Sequence, residues 1–187
     1  MSDFTSLADH FLIAMPTLQD PFFGQSLVYL FEHNPEGAMG LVINQPVDLS
    51  LADVLSQLRP EQEPPAHTSD IPIYAGGPVQ TERGFVMHPP GSSYQSTVDL
   101  GALSITNSKD ILTAIAQSKG PEQFLIALGY AGWGAGQLEE ELKSNTWLSC
   151  PASHTIIFST PPEERRSAAA RSLGIQLSRL SHLAGHS

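Results

Sequence analysis

Cysteine, basic residues and long apolar runs are all scarce in this chain, and each scarcity removes a class of function. Cys150 is the single cysteine among 187 residues, so no intrachain disulfide can staple the fold, a usage that suits a reducing compartment. Lysine and arginine total 9 against 19 aspartates and glutamates, a net charge of −10. The average field therefore repels DNA, RNA and anionic membranes. One basic cluster, Arg165, Arg166, Arg171 and Arg179, is partly cancelled by Glu163 and Glu164. Apolar runs reach about five residues, whereas crossing a bilayer takes roughly 20. The opening Met1-Ser2-Asp3-Phe4 has no basic flank, and Asp9-His10 interrupts the apolar stretch nearby. No signal peptide and no membrane partner are expected, and the expected location is cytoplasmic.

Catalytic and cofactor phrases are missing too. There is no Gly-x-Ser-x-Gly elbow, no P-loop and no dinucleotide Gly-x-Gly-x-x-Gly after a strand. Cys150 and His154 could suggest a thiolate pair, but Pro151 keeps that stretch extended and the side chains apart. His182 and His186 have the spacing of helix metal ligands, yet Gly185 and the chain end favour fraying. No catalytic residue, metal or cofactor is assigned.

What is present reads as one domain, residues 1–187, of mixed structure. Residues 11–15 form a short apolar strand ended by Pro16. Residues 26–33 form a longer one, apolar on both faces. Asn34-Pro35-Glu36-Gly37 supplies the residues that a type I turn prefers, so residues 38–44 should return antiparallel as a hairpin. Ser50 with Asp53 reads as a capping pair for a helix that places Leu51, Val54, Leu55 and Leu58 on one face and ends at Arg59-Pro60. After a polar loop, residues 71–75, 84–88 and 103–106 are further strands, with a polar excursion at 91–99. A second helix begins at Asn107, with Asp110 as cap and Ile111, Leu112 and Ile115 inward, and stops at Gly120-Pro121. Residues 154–159 read as a strand. Thr160 then caps a helix with Pro161 as its first residue, Ala168, Ala169 and Leu173 as its inner face and Gly174 as terminator. Strands predominate and helices are inserted singly. That order predicts an α+β fold with a mixed, mostly antiparallel sheet that can curl into a partial barrel, and helices packed on it.

The most distinctive segment is a glycine-aromatic joint. Phe124-Leu125-Ile126-Ala127-Leu128 runs into Gly129-Tyr130-Ala131-Gly132-Trp133-Gly134-Ala135-Gly136 and then into the acidic helix Gln137-Leu138-Glu139-Glu140-Glu141-Leu142. Such glycines permit close approach of another backbone, with Tyr130 and Trp133 as anchors. A helix N-terminus after glycines can hold phosphate, but Glu139, Glu140 and Glu141 complement the dipole themselves and repel an anion. The joint is expected beside the hairpin tip, as the surface used for a ligand or partner.

Long phrases carry a resemblance: Glu32-His33-Asn34-Pro35-Glu36-Gly37-Ala38-Met39-Gly40-Leu41-Val42-Ile43-Asn44, Gly76-Gly77-Pro78-Val79, Arg83-Gly84-Phe85-Val86, Leu128-Gly129-Tyr130-Ala131-Gly132-Trp133 and Gly136-Gln137-Leu138-Glu139. On these the chain resembles the bacterial YqgE/AlgH family, from Leu12 to Trp147. The resemblance implies an α+β fold unlike the common superfolds, a cytosolic location and an association with regulation of alginate production. Members are described as transcriptional regulators, with no established biochemical activity. Gln45 stands where many relatives carry a basic residue, and Arg166-Ser167 where a tryptophan is expected.

Polar residues framed by glycine turns are the candidates for binding. They are His33, Asn34 and Glu36 at the hairpin tip, Arg83 and His88 around one strand, and Tyr130, Trp133, Gln137 and Glu139 at the joint. Each also has an ordinary structural role, such as Asn34 in the turn or Glu139 near a helix start. Three functions follow. The first is a non-enzymatic regulatory or adaptor protein binding a protein partner or small ligand. The second is a regulator contacting DNA directly, which the charge opposes. The third is an enzyme of novel type in which His33 or His88 is acid or base, Arg83 orients an anion and Trp133 walls the site.

Overall fold

A computed structural model describes residues 4–184 of the chain. The hairpin forms as its turn chemistry requires: β2 (Leu27–Asn34) and β3 (Gly37–Val42) pair antiparallel, with Asn34 opposite Gly37. β1 (His10–Ala14) lies antiparallel between β2 and β10 (Trp147–Pro151). On its other edge β3 pairs with β9 (Leu125–Gly134), and β9 pairs with β6 (Val79–His88). Two short strands, β7 (Thr97–Asp99) and β8 (Ser104–Thr106), complete that edge. β4 (Pro46–Ser50) pairs with β5 (Pro72–Ala75), and β5 runs parallel to the first half of β9. This is a mixed, mostly antiparallel sheet curled into a half-barrel, with helices α1 (Leu51–Leu58), α2 (Asp110–Ala116), α3 (Gln137–Lys143), α4 (Pro162–Ser172) and α5 (Leu177–Ala184) around it. His186, the second residue of the metal-like pair, lies outside the described residues, as does the side chain of His182.

β9 organises the interior. Leu125 and Ala127 face one core with Phe11, Tyr29 and Phe85, while Ile126 and Leu128 face a second with Leu51, Val86 and Ile111. Gly129, at φ +76°, then breaks the alternation. Beyond it Tyr130 rejoins the first core, and Ala131 and Trp133 enter a third with Leu12, Val28 and Trp147. One left-handed residue thus redirects a strand that strict two-residue periodicity would keep on two faces. Across from it β6 bulges: Val79 faces Tyr130, yet Gly84 already faces Leu128, so residues 80–83 are pushed out to solvent. The other side of Gly129 is a wedge. Gly76 accepts from the Val42 N–H and donates to the Leu128 carbonyl, both at 2.8 Å, joining β3 to β9 where they diverge. A Cβ on Gly77 would lie 1.9 Å from the Tyr130 carbonyl carbon. Close backbone approach is therefore the reason for the glycines here.

Five local expectations are corrected. The glycine-aromatic joint is strand as far as Gly134, because β3 pairs with Ala131 to Gly134 and Val79 of β6 pairs with Tyr130. Residues Thr155–Ser159 form a π-type turn in place of a strand, placing the consecutive Ile156 and Ile157 both inward. Helix α2 starts at Asp110, not Asn107, because the Asp110 carboxylate accepts the Gln95 N–H at 2.8 Å and the Ser108 hydroxyl, tethering the polar excursion instead of capping. Thr160 donates its hydroxyl to the Thr155 carbonyl at 3.1 Å, so Pro161 takes the cap position and Pro162 begins α4. The inner face of α4 is Arg165, Ala169 and Ala170, with Leu173 exposed. Arg165 donates to the carbonyls of Thr160 and Ile43, and Arg166 donates twice to the Ala14 carbonyl, at 3.0 and 2.6 Å. Half of the basic cluster is thus committed to fastening α4 onto the ends of β1 and β3.

Candidate functional site

The hairpin tip, the end of β9 and α3 meet in one place, 100 residues apart in sequence. Ala38 pairs with Trp133 and Gly37 with Gly134, and the Gly134 N–H donates to Gln137 Oε1 at 3.0 Å, turning the chain into α3. His33, on β2, is buried. Its Nδ1 accepts the Leu7 N–H at 2.8 Å, so Nε2 carries the proton and donates it to Glu139 Oε1 at 2.6 Å. That hydrogen bond holds the Glu139 carboxyl below the usual glutamate range.

Two residues further along α3, Glu141 collects three donors. Its Oε1 accepts both indole N–H groups, from Trp133 at 3.0 Å and Trp147 at 2.9 Å, and its Oε2 accepts Gln137 Nε2 at 3.0 Å. The ring centroids of Phe23, Trp133 and Trp147 lie 5.9 to 6.3 Å from one another. Trp133 and Trp147 are only 7% and 3% exposed, so the rings are packed on each other and do not form an open cage. Above them opens a cleft of about 360 Å³ bordered by Asp20, Phe23, Gly132 and Gln137.

Of the predicted residues, His33, Trp133, Gln137 and Glu139 belong to this assembly. Asn34 and Glu36 flank it, Asn34 Oδ1 accepting the Glu36 N–H at 2.9 Å to shape the turn while the Glu36 side chain is exposed. Tyr130 does not join them; it faces the opposite core, edge-on to Phe85 at 5.9 Å. His88 lies at the other end of the sheet, roughly 25 Å of strand from Trp133, since Met87 pairs with Leu125 at the start of β9. It is fully buried and both ring nitrogens are engaged: Nδ1–H donates to the Pro89 carbonyl and Nε2 accepts the Thr106 hydroxyl. Arg83 is on the bulge of β6, its guanidinium 5.2 Å from the Phe85 ring centre, and borders separate clefts. Phe23, Glu141 and Trp147 were not singled out from sequence. A signal existed in the i, i+4 spacing of Gln137 and Glu141 beside one of only two tryptophans.

Cys150 is buried with its sulfur 3.8 Å from the Ala169 carbonyl, and burial pushes its thiol up, away from the reactive thiolate. His154 instead meets the Ala102 carbonyl. Among the described residues, no group of three or more His, Cys, Asp or Glu side chains is placed to hold a metal ion.

A model of the AlgH-like family matches residues 11–178. The chain belongs to the AlgH-like family. It is 61% identical over 182 residues to the UPF0301 protein AlgH of Pseudomonas aeruginosa, covering 97% of this chain and 96% of that protein. A UPF0301 protein of Pseudomonas fluorescens is 59% identical over 180 residues, covering 96% and 95%. The solution structure of the Pseudomonas aeruginosa AlgH protein superposes with a TM-score of 0.84, at 60% identity and 97% and 96% coverage. A Corynebacterium diphtheriae protein of known crystal structure shares the fold, with a TM-score of 0.71 at 19% identity and coverage of 97% and 94%. The match takes in the hairpin, β9 and α3 together, so the assembly described here lies within the family's domain. Among the described residues, no helix is long and apolar enough to cross a membrane.

Proposed function

We propose that the protein is a non-enzymatic, cytoplasmic regulatory or adaptor protein that binds a protein partner through the face made by the hairpin tip, the end of β9 and α3. The observation that carries this reading is the clasp of His33 on Glu139 at 2.6 Å, which fixes two sequence-distant elements as one surface before any partner arrives. Preorganisation of that kind lowers the ordering cost of association. Around the clasp stand the exposed Glu36, Gln137 and Glu140, so the complementary partner surface is basic, with an apolar group for the cleft over Phe23. The residues suited to acid–base work are already spoken for: His33 and His88 each engage both ring nitrogens. Recognition fits such groups better than turnover does. Direct DNA contact is opposed by the net charge of −10.

The test is a charge reversal at two exposed positions, Glu36→Lys with Glu140→Lys. A partner recovered with the wild-type protein is purified and titrated against both proteins. Binding should weaken at least about tenfold in the variant, with thermal unfolding unchanged. Equal affinity for wild type and variant would place the partner elsewhere on the molecule.

A further inference from the structure

Two register shifts, one in β2 and one in β6, deliver opposite charges to the same cleft. In β2, Leu30 pairs with Gly40 but Glu32 already pairs with Met39, so Phe31 is an extra residue and both Phe31 and Glu32 border the cleft beside Met39. In β6, the bulge over residues 80–83 ends at Arg83, which shares a face with Phe85 two residues on and lays its guanidinium 5.2 Å from that ring centre. The curl of the sheet brings the two strands together, with the Phe31 and Phe85 rings 5.9 Å apart and inclined by 35°. The cleft they border measures about 420 Å³, and its apolar wall is Phe31, Met39, Phe85, Val98, Leu100 and Ile105. Val98 is 60% exposed, more than any other large apolar side chain among the described residues. Neither charge is neutralised: Glu32 and Arg83 are both exposed, and neither is in an ion pair, with the other or with a third residue, among the described residues. Their polar contacts are long, Asn34 Nδ2 donating to Glu32 Oε1 at 3.4 Å and Arg83 Nη1 donating to Gln80 Oε1 at 3.3 Å.

We propose that this cleft binds a free aromatic amino acid as its zwitterion, with the carboxylate on Arg83, the ammonium on Glu32 and the ring against Phe31, Phe85 and Val98. One cation and one carboxylate on a single rim match a ligand that carries both charges. A simple anion would meet repulsion from Glu32, and a simple cation from Arg83. The guanidinium offers a carboxylate parallel N–H donors, and its stack on Phe85 limits where it can swing. Two tilted phenyl rings favour an aromatic side chain over an aliphatic one. Size agrees, since small-molecule sites span roughly 300–1,000 Å³ and this one falls in the lower part of that range. The cleft adjoins the first core, whereas the α3 face adjoins the third, so the two are independent.

The experiment titrates the full chain with phenylalanine and tryptophan, followed by heteronuclear NMR. Shifts should map to Met39, Val98 and Ile105. Phenethylamine lacks the carboxylate, 3-phenylpropanoate lacks the ammonium and alanine lacks the ring; each should bind at least about tenfold more weakly than phenylalanine. Glu32→Gln should weaken phenylalanine about tenfold while leaving 3-phenylpropanoate no weaker, and Arg83→Met should weaken phenylalanine about tenfold while leaving phenethylamine no weaker, the fold of both variants checked by circular dichroism. The Glu36→Lys, Glu140→Lys protein should bind phenylalanine normally, which separates this proposal from the α3 face. Equal affinity for phenylalanine and the analogues that lack one charge, shifts confined to other surfaces, or no shift with either amino acid up to its solubility would overturn the proposal. So would equally tight binding of N-acetylphenylalanine amide, which carries neither charge and would mark the cleft as a groove for an aromatic residue within a peptide.

Discussion

Glu141→Ala is the substitution that most directly tests whether α3 is structurally fused to the sheet. In the wild type a single oxygen, Oε1, is the acceptor for two indole N–H groups on side chains that are 7% and 3% exposed. Truncation leaves both donors with neither a protein partner nor ready access to water. A buried donor deprived of its acceptor costs about 1–3 kcal/mol, so two give roughly 2–4 kcal/mol once partial entry of water into the 360 Å³ cleft above them is allowed for. Glu141→Gln keeps an oxygen in the same place and should cost only about 1 kcal/mol, the difference between a charged and a neutral acceptor. Urea unfolding followed by tryptophan fluorescence reads both values as shifts in midpoint at constant slope. Trp147→Phe supplies the control, removing one donor while keeping an aromatic ring against Phe23. In the Glu141→Ala background it should be less costly than alone by about 1 kcal/mol, the coupling expected of a direct hydrogen bond. If Glu141→Ala and Glu141→Gln prove equally costly, or if both fall below about 0.5 kcal/mol, the carboxylate is not what joins the two indoles to α3.

Gly77→Ala should prevent folding or destabilise by more than about 3 kcal/mol, because its Cβ would meet the Tyr130 carbonyl carbon at 1.9 Å; Gly132→Ala, whose nearest contact is an ordinary 3.6 Å, should stay within about 1 kcal/mol by the same melt. The depressed Glu139 carboxyl contributes stability that is present above the ordinary glutamate value and lost as pH falls through its folded value, so the advantage of wild type over Glu139→Gln should shrink below about pH 4.5. A difference that stays constant from about pH 7 to pH 3 would remove the charge from this account. Duplex DNA should bind weakly and without sequence preference near physiological salt, given the charge of −10. Fluorescence anisotropy giving nanomolar affinity for one duplex, with roughly a thousandfold preference over random sequence, would refute that expectation.

The legible parts of the fold were those whose cause is local. Asn34-Pro35-Glu36-Gly37 contains its own turn, and Ser50 with Asp53 forms the reciprocal cap that their spacing advertises, Asp53 Oδ2 accepting the Ser50 N–H at 2.8 Å. The parts that did not read correctly have non-local causes. Asp110 looks like a cap until Gln95 takes its carboxylate, and Thr160 looks like one until the Thr155 carbonyl takes its hydroxyl. Residues 129–134 look like a loop because glycine disfavours strands, and only pairing with β3 at residues 131–134 and with Val79 of β6 at Tyr130 reverses that preference. The candidate site divides the same way. Gln137 and Glu139 were visible as polar residues after glycines. Glu141 became important only through two indoles reached across the third core, and His88 and Arg83 were separated from His33 by a register that no local spacing encodes.

That register carries a consequence for function. A regular β9 would present one continuous pair of faces, and any ligand groove along it would share the electrostatic character of the residues on that face. Gly129 prevents this by turning the strand: Ile126 and Leu128 line a cleft with Val54, Leu58 and Leu112, whereas Trp133, four residues past the turn, sits under the acidic α3. An aliphatic cleft and the aromatic cleft beside α3 therefore share one strand without sharing a lining residue. The separation is enforced by backbone contact, because Gly129 and Gly77 are so close that a Cβ on either would collide with the backbone of the other segment. Tyr130, one residue past the turn, enters neither cleft: it packs edge-on to Phe85 against the first core, so a single left-handed residue sorts the side chains of one strand among three cores.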